Sequence, residues 1–205
     1  MSAHSAPLLE AKNLSFARLW EGVSFALRGG EMLCITGANG AGKSTLLKVL
    51  CGLLAPDAGA VFWRRQNIRR AAEEYCADLM YLGHSDGVKS GCTPLENLRF
   101  AAAVHCAAPA LSPPEALEKL GMGGENRFCG NLSAGQKRRV ALARLLVGRA
   151  KLWLLDEPLT SLDDSSRRIF GELAAAHLAD GGGAVLASHQ ADFFPAARVL
   201  HLGRQ

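Results

Sequence analysis

The stretch "GANGAGKST", from Gly37 to Thr45, constrains the fold of this chain more than any other. It follows an apolar run, "EMLCITG", and precedes "LLKVLCGLL", whose apolar residues recur at helical spacing. It therefore matches the pattern G-x-x-x-x-G-K-[ST] in the strand–loop–helix context that the pattern requires. In such a loop, backbone N–H groups and the helix N-terminus bind phosphate oxygens. We predict a nucleotide-phosphate site made of Gly37, Asn39, Gly40, Ala41, Gly42, Lys43, Ser44 and Thr45.

Side chains with the required chemistry complete this site. Lys43 is placed to reach the β- and γ-phosphates, and the Ser44 hydroxyl to bind Mg²⁺. A second apolar run, "LWLLDE", delivers two carboxylates at the end of a buried strand. There Asp156 is predicted to hold Mg²⁺, and Glu157 to polarise an attacking water molecule.

Strand and helix patterns alternate along the chain in an order typical of an α/β protein. Two short strand patterns, "LLEAKNLSF" and "GVSFAL", precede the phosphate loop and favour an antiparallel β edge. Three helical patterns then stand between "ADLMYLG" and "KLWLLDE". We predict a single α/β domain over residues 1–205, with a P-loop core sheet from residues 1–83 and 151–205. A helical subdomain is predicted at about residues 84–150.

Composition excludes several other classes of protein. The chain is 49% hydrophobic and 20% charged, as in ordinary globular proteins, and its net charge of +4 is too mild to indicate nucleic-acid binding. No apolar run reaches the length of a membrane span, and the N-terminus lacks the pattern of a secretory signal. The six cysteines form no C-x-x-C pair, so buried free thiols in the cytosol are expected.

Further stretches resemble the motifs of ATP-binding cassette ATPases. "NLSAGQKRRVALARLL" is similar to that family's LSGGQ signature, with Ala134 in place of the first glycine. "LDEPLTSLD" resembles its Walker B strand and D-loop, and in "LASHQ" a strand ends with His189 at the position of the family's switch histidine. The resemblance covers essentially the whole chain, with the motifs in the family's order.

This resemblance implies a mechanism that spacing alone does not provide. In the family, two cassettes pair head-to-tail and each ATP lies between the P-loop of one and the signature motif of the other. An ATP-dependent homodimer is therefore expected, with Asp163 communicating across it and His189 contacting the γ-phosphate. The implied contacts in trans come from Ser133, Ala134, Gly135 and Gln136.

The sequence departs from the family pattern at two positions. Arg18 occupies the place of the aromatic residue that normally stacks on adenine, and Phe16 and Trp20 are nearby alternatives. His84 occupies the place of a glutamine that contacts Mg²⁺ and the attacking water. A neutral imidazole can donate or accept one hydrogen bond there, so we predict a catalytic or coupling role for His84 rather than that of a solvent-facing loop residue.

The segment "YLGHSDGVKSGCTPLENL" closely resembles that of the ATPase subunits of bacterial cytochrome c maturation systems. The resemblance implies haem export or release of a haem-loaded chaperone, and peripheral attachment to the cytoplasmic face of the inner membrane. It also implies a membrane subunit of the CcmB type, further maturation subunits, and a partner surface around residues 84–98. No direct haem binding is expected, since the chain lacks C-x-x-C-H.

Three alternatives remain open from the sequence. An importer or lipid-extracting ATPase would keep every catalytic assignment and change only the cargo. A soluble cassette protein acting in translation or DNA repair usually carries two cassettes or a long coiled coil. A P-loop kinase for a small molecule would leave "LSAGQ" unexplained.

Overall fold

The computed structural model describes residues 6–104 and 111–203. A parallel sheet of five strands forms the centre, in the order β6-β7-β8-β3-β9. These strands are β3 (Met32–Thr36), β6 (Leu79–Leu82), β7 (Leu152–Asp156), β8 (Gly183–Ala187) and β9 (Arg198–His201). All residues of β7 and β8 are buried, because both faces of the sheet are covered.

An antiparallel sheet of four strands lies beside it, in the order β2-β1-β4-β5. Its strands are β1 (Leu9–Phe16), β2 (Trp20–Leu27), β4 (Ala58–Trp63) and β5 (Gln66–Asn67). The strands β4 and β5 form a hairpin, since Arg64 and Arg65 both adopt positive φ and turn the chain after β4. The predicted α/β class with an antiparallel edge is confirmed.

Two hydrophobic cores occupy the two faces of the central sheet. On β7, Leu152 and Leu154 join the core shared with the antiparallel sheet and α1 (Lys43–Leu50). Trp153 and Leu155 point the other way, into the core shared with the helices that follow β6. This alternation follows from the twofold side-chain period of a strand.

In the described part of the chain, three α-helices lie between β6 and β7 and pack against one another: α3 (Pro94–Val104), α4 (Pro113–Lys119) and α5 (Ala134–Val147). The helix α5 begins with a capping box, in which Ser133 Oγ accepts from Gln136 N at 3.2 Å and Ser133 N donates to Gln136 Oε1 at 3.0 Å. The predicted subdomain limits of 84 and 150 stay a prediction, and residues 105–110 within them lie outside the described part.

Two helices were missed by the sequence patterns. The short α2 (Ala72–Ala77) precedes β6, and the long α6 (Asp164–Ala179) follows β7 and covers β8. Asp163 caps α6 by accepting from Ser166 N at 2.8 Å. An Asp followed by apolar residues at helical spacing is a helix-start pattern, so α6 could have been predicted from the sequence.

The described cysteines are free thiols, and Cys34, Cys51 and Cys129 are buried as expected. Cys76 is exposed, so the expectation of burial is wrong there, and Cys106 lies outside the described residues. Within 6–104 and 111–203, no helix has the length and apolar character needed to cross a membrane.

Candidate nucleotide-binding site

A cavity of about 570 Å³ opens at the carboxyl ends of the parallel strands, where ligands bind in open α/β sheets. It collects side chains from the loops after β3, β6, β7 and β8. Leu19, Thr160 and Gln190, which the sequence patterns did not single out, also line it. The predicted residues among its walls are Asn39, Gly40, Ala41, Gly42, Lys43, Ser44, Thr45, His84, Asp156, Glu157 and His189.

The loop before α1 needs glycine at two positions, where a Cβ would clash with neighbouring atoms. A Cβ on Gly37 would lie 2.3 Å from the Leu202 carbonyl oxygen, and one on Gly42 would lie 2.8 Å from Trp20 Nε1. Both glycines also have positive φ, of 146° and 89°. The loop therefore packs closely against the Leu202 backbone just after β9 at one glycine and against the Trp20 side chain at the other.

Lys43 places a buried positive charge inside this loop. Its residue is 8% exposed, and Nζ donates to the carbonyl oxygens of Gly37 at 2.8 Å and Ala38 at 3.2 Å. The N-terminus of α1 starts at the same point. An ammonium held on backbone carbonyls beside a helix N-terminus suits polyphosphate oxygens, so the residues present fit a nucleotide.

The end of β7 brings two carboxylates to the cavity. Asp156 is 3% exposed and lines it together with Ser44, so a carboxylate and a hydroxyl, both oxygen ligands of the kind Mg²⁺ prefers, border the same cavity. Glu157 has a left-handed backbone, with φ of 46°. Its Oε1 is buried and has no hydrogen-bond partner among the described residues. An unpaired buried carboxylate oxygen facing a polar cavity can accept a proton from water.

His189 stands between the phosphate loop and Glu157. Its Nε2 lies 3.2 Å from Lys43 Nζ and 3.6 Å from Glu157 Oε1. The side chain is 51% exposed, so the imidazole forms an open wall of the cavity. The predicted His189 and Glu157 are thus brought together.

Two neutral groups flank the carboxylates on the sheet. Burial, followed by the negative charge of Glu157, raises the pKa of the Cys34 thiol. Burial, followed by the charges of Cys51 and Asp156, raises the pKa of Tyr81 to about 12. Both groups stay protonated at neutral pH, so neither the Cys34 thiol nor the Tyr81 phenol adds negative charge at this edge of the sheet.

His84 is exposed at the rim of the same cavity. It also lines a neighbouring cavity of about 630 Å³, shared with Ser44, Asp156 and Arg144. The histidine therefore stands where the cavity meets the loop that leads to α3.

The stretch around Ser133 lies apart from this cavity. None of Ser133, Ala134, Gly135, Gln136 and Asp163 is among the residues that line it. A Cβ on Gly135 would lie 2.7 Å from the Ser161 carbonyl oxygen, so this glycine allows α5 to approach the loop before α6. Hydrogen bonds from Ser166 and Ser165 lower the pKa of Asp163 to about 2.

Comparisons with known proteins decide the family. The sequence model described as "ABC transporter" matches residues 20–160. This chain belongs to the ABC transporter family. It is similar to a protein of Dechloromonas aromatica (strain RCB) named "Cytochrome c biogenesis ATP-binding export protein CcmA", with 45% identity over 95% of this chain and 98% of that one. A protein of the same name from Vibrio cholerae is 44% identical over 96% and 99% of the two chains.

Solved structures agree with this fold. The chain resembles one titled "Structure of ATP binding subunit of ABC transporter", with a TM-score of 0.85, 26% identity, and coverage of 96% and 86% of the two chains. A dimeric ATP-binding cassette bound to ADP and Pi has a TM-score of 0.84 at 23% identity, over 96% and 94%. The chain is therefore an ABC-type ATPase that binds ATP.

Within this ABC fold, the expected adenine contact is not brought to the cavity. Arg18 lies exposed in the turn between β1 and β2, whereas its neighbour Leu19 lines the cavity. Trp20, an alternative for the adenine contact, is 4% exposed and its Nε1 lies against Gly42, so its ring packs under the phosphate loop. Phe16 packs on Trp20 at 5.9 Å between ring centroids. Stacking of Arg18 on adenine stays a prediction.

Proposed function

We propose that this ABC ATPase is the energy-supplying subunit of a membrane complex that matures c-type cytochromes. The observation that carries the proposal is the full-length similarity to several proteins named "Cytochrome c biogenesis ATP-binding export protein CcmA", at 40–45% identity. ATP hydrolysis here would drive haem export or release of a haem-loaded chaperone. The chain would lie on the cytoplasmic face of the inner membrane, with a CcmB-type subunit and other maturation subunits as partners.

In this proposal the cavity residues have distinct roles. Asn39, Gly40, Ala41, Gly42 and Thr45 cradle phosphates with their backbone, and Gly37 permits the loop's entry. Lys43 neutralises phosphate charge, and Ser44 and Asp156 hold Mg²⁺, which offsets further charge when it is bound. The unpaired Oε1 of Glu157 orients and deprotonates water, and His189 contacts the γ-phosphate edge from beside Glu157.

The motif around Ser133 would serve a second copy of the chain. The capped start of α5 consists of Ser133, Ala134, Gly135 and Gln136, of which the first two are exposed. A capped helix N-terminus suits an anion. These four residues stand outside their own cavity, so a head-to-tail homodimer would place them on the partner's nucleotide. Asp163, at the start of α6, would lie at the same interface.

The surface for the membrane subunit is proposed around residues 84–98. Asn97 fixes this stretch, because its Oδ1 accepts from Lys89 N at 2.8 Å and its Nδ2 donates to Lys89 O at 3.1 Å. Next to it, Phe100 is 58% exposed, with Lys89 Nζ 3.5 Å from its ring centroid. An apolar ring beside a rigid loop suits a protein partner. Charge reversals here that leave co-purification with the membrane subunit intact would refute this surface.

The test is covalent haem staining of membrane c-type cytochromes in the source organism, with Glu157→Gln compared with the unaltered chain. Loss of staining at an unchanged protein level is expected. Normal staining would leave the ATPase standing and remove the maturation role, in favour of an importer. Because no haem binding by this chain is proposed, a stoichiometric Soret-absorbing complex with the purified protein would contradict that part.

A further inference from the structure

Arg138 is a buried charge that no motif of the sequence identified. It lies on α5, five residues after the capping Ser133, and is 3% exposed. Its Nη2 donates to the carbonyl oxygens of Asp156 at 2.8 Å and Glu157 at 2.6 Å. Its Nε donates to the Pro158 carbonyl oxygen at 3.3 Å. One guanidinium therefore binds three consecutive carbonyls at the end of β7.

The backbone that Arg138 holds is in an unfavourable conformation. Glu157 has φ of 46°, a left-handed state that a residue with a Cβ keeps only where its surroundings impose it. Glu157 N donates to the Ala187 carbonyl oxygen at 2.8 Å, and Arg138 binds the Glu157 carbonyl from the other side. These two contacts fix both peptide groups of Glu157, and with them the direction of its side chain.

The same guanidinium reaches the loop that carries His84. Arg138 Nη1 donates to Asp86 Oδ1 at 2.9 Å and to the Gly83 carbonyl oxygen at 3.5 Å. The residues that Arg138 binds thus flank His84 on both sides in the sequence. Arg144, further along α5, adds a bond to the Asp86 carbonyl oxygen at 3.3 Å.

We infer that Arg138 is a positioning residue for ATP hydrolysis, which orients Glu157 and joins it to the His84 loop and to the start of α5. Because the guanidinium is planar and rigid, a displacement of the His84 loop or of the start of α5 would shift the Glu157 backbone that it binds. Lysine cannot replace this planar fork of donors, because an ammonium is a single point of donation. The inference rests on the proposed role of Glu157 as the residue that activates water.

The test compares Arg138→Gln and Arg138→Lys with the unaltered chain, in the complex in which the chain hydrolyses ATP. Arg149→Gln, which removes an exposed charge just past the end of α5, is the matched control. Turnover is expressed per nucleotide-binding site. Both Arg138 variants are expected to lose about tenfold to a hundredfold in kcat, as for a misplaced catalytic group, with KM for ATP within about threefold.

A second arm separates positioning from packing. If Arg138 acts through Glu157, then Arg138→Gln adds no further loss of kcat in a Glu157→Gln background. A further loss of kcat in that double variant would overturn the inference and assign Arg138 to packing. The same conclusion would follow if kcat, nucleotide affinity and Tm all fell together in Arg138→Gln. A kcat of the Arg138 variants within about twofold of that of the unaltered chain would also overturn the inference.

Two outcomes keep this inference apart from the proposal on which it rests. If Glu157→Gln retains full turnover, the role of Glu157 falls, and the inference falls with it. If Glu157→Gln is inactive while Arg138→Lys is unimpaired, only the inference falls. Should Arg138→Gln fail to fold, Arg138→Lys and Asp86→Asn decide the question, since Asp86→Asn keeps an acceptor and removes the charge. A smaller loss, of about threefold in kcat, is expected for Asp86→Asn.

Discussion

The strand-end cavity and the start of α5 are both rich in polar groups, but they use them in opposite ways. In the cavity, Glu157 Oε1 has no hydrogen-bond partner among the described residues, and Lys43 Nζ contacts two loop carbonyls and His189 Nε2. At the start of α5, Ser133 and Gln136 satisfy each other. The first region is prepared for bound groups, whereas the second is a finished surface that presents a helix N-terminus.

This difference shows which parts of the nucleotide site a single chain supplies and which part would come from a second copy in the proposed dimer. Parallel strands deliver their loops to one edge, so a single chain assembles the P-loop and Glu157 by itself. The signature start of α5 stands outside that cavity, with Gly135 packed on the loop before α6. A second copy is the natural complement in the proposed dimer.

The largest effect is expected at the strand-end region. Glu157→Gln should lower kcat for ATP by about a hundredfold or more, because the amide cannot take a proton from water. ATP binding should persist, since the phosphate loop is untouched. Steady-state kinetics and equilibrium binding of nucleotide test this together. Lost binding would mean that Glu157 supports the loop instead of the reaction.

The next effect tests the signature region. Gly135→Ala would place a Cβ 2.7 Å from the Ser161 carbonyl oxygen, so α5 or the following loop must shift. A loss of roughly 1–3 kcal/mol in the free energy of unfolding is expected. Urea denaturation measures it, with Gly91→Ala as the control, because no atom lies within 4 Å of a Cβ there. Nucleotide binding by the strand-end cavity should remain, and equal stability of both variants would contradict the packing described here.

A smaller effect is expected at His84, on the rim of the cavity. His84→Ala should lower turnover, or its coupling to cytochrome maturation, several-fold while leaving Tm nearly unchanged, because the side chain is exposed. His84→Gln should retain more turnover, since an amide can make the same kind of hydrogen bond. Unchanged turnover together with unchanged cellular activity in His84→Ala would defeat the assignment.

The smallest effect lies at the far end of α6, the helix that Asp163 caps. His177 stacks on Trp153 at 3.9 Å, and burial lowers its pKa. A lowered folded pKa means that the unfolded chain binds the proton first, so stability present above about pH 6.5 is lost as pH falls below it. The contribution of one group is at most about 1.4 kcal/mol per pH unit.

The measurement is urea denaturation between pH 7.5 and 5.5, with His177→Gln compared with the unaltered chain and with His201→Gln, an exposed histidine. The pH slope of stability should flatten in His177→Gln alone. Equal slopes in all three proteins would show that the neutral form of His177 contributes nothing to the fold.

Much of the site was readable in the sequence because its motifs are local. The glycines, Lys43 and Ser44 are consecutive or nearly so, and "LWLLDE" shows its strand by its apolar run. Arg138 was missed for the opposite reason. Its partners, Asp86 and the carbonyls after β7, are distant in sequence, and no residue pattern records which carbonyls an arginine will meet.

The antiparallel region shows the same limit. Trp20 could be proposed for adenine from its position in the sequence, yet the fold seats its ring against Gly42. Which side of a turn a side chain takes depends on packing against elements that come later in the chain.

By itself, the sequence determined the α/β class, the phosphate loop, the carboxylate pair and the family, since each depends on short-range patterns of residue type. Only the tertiary structure decided that Glu157 is left-handed with an unpaired oxygen, that His189 stands 3.6 Å from it, and that Arg138 holds its backbone. The physical reason is that these are contacts between strand ends and a distant helix, and they exist only once the parallel sheet brings those ends to one edge.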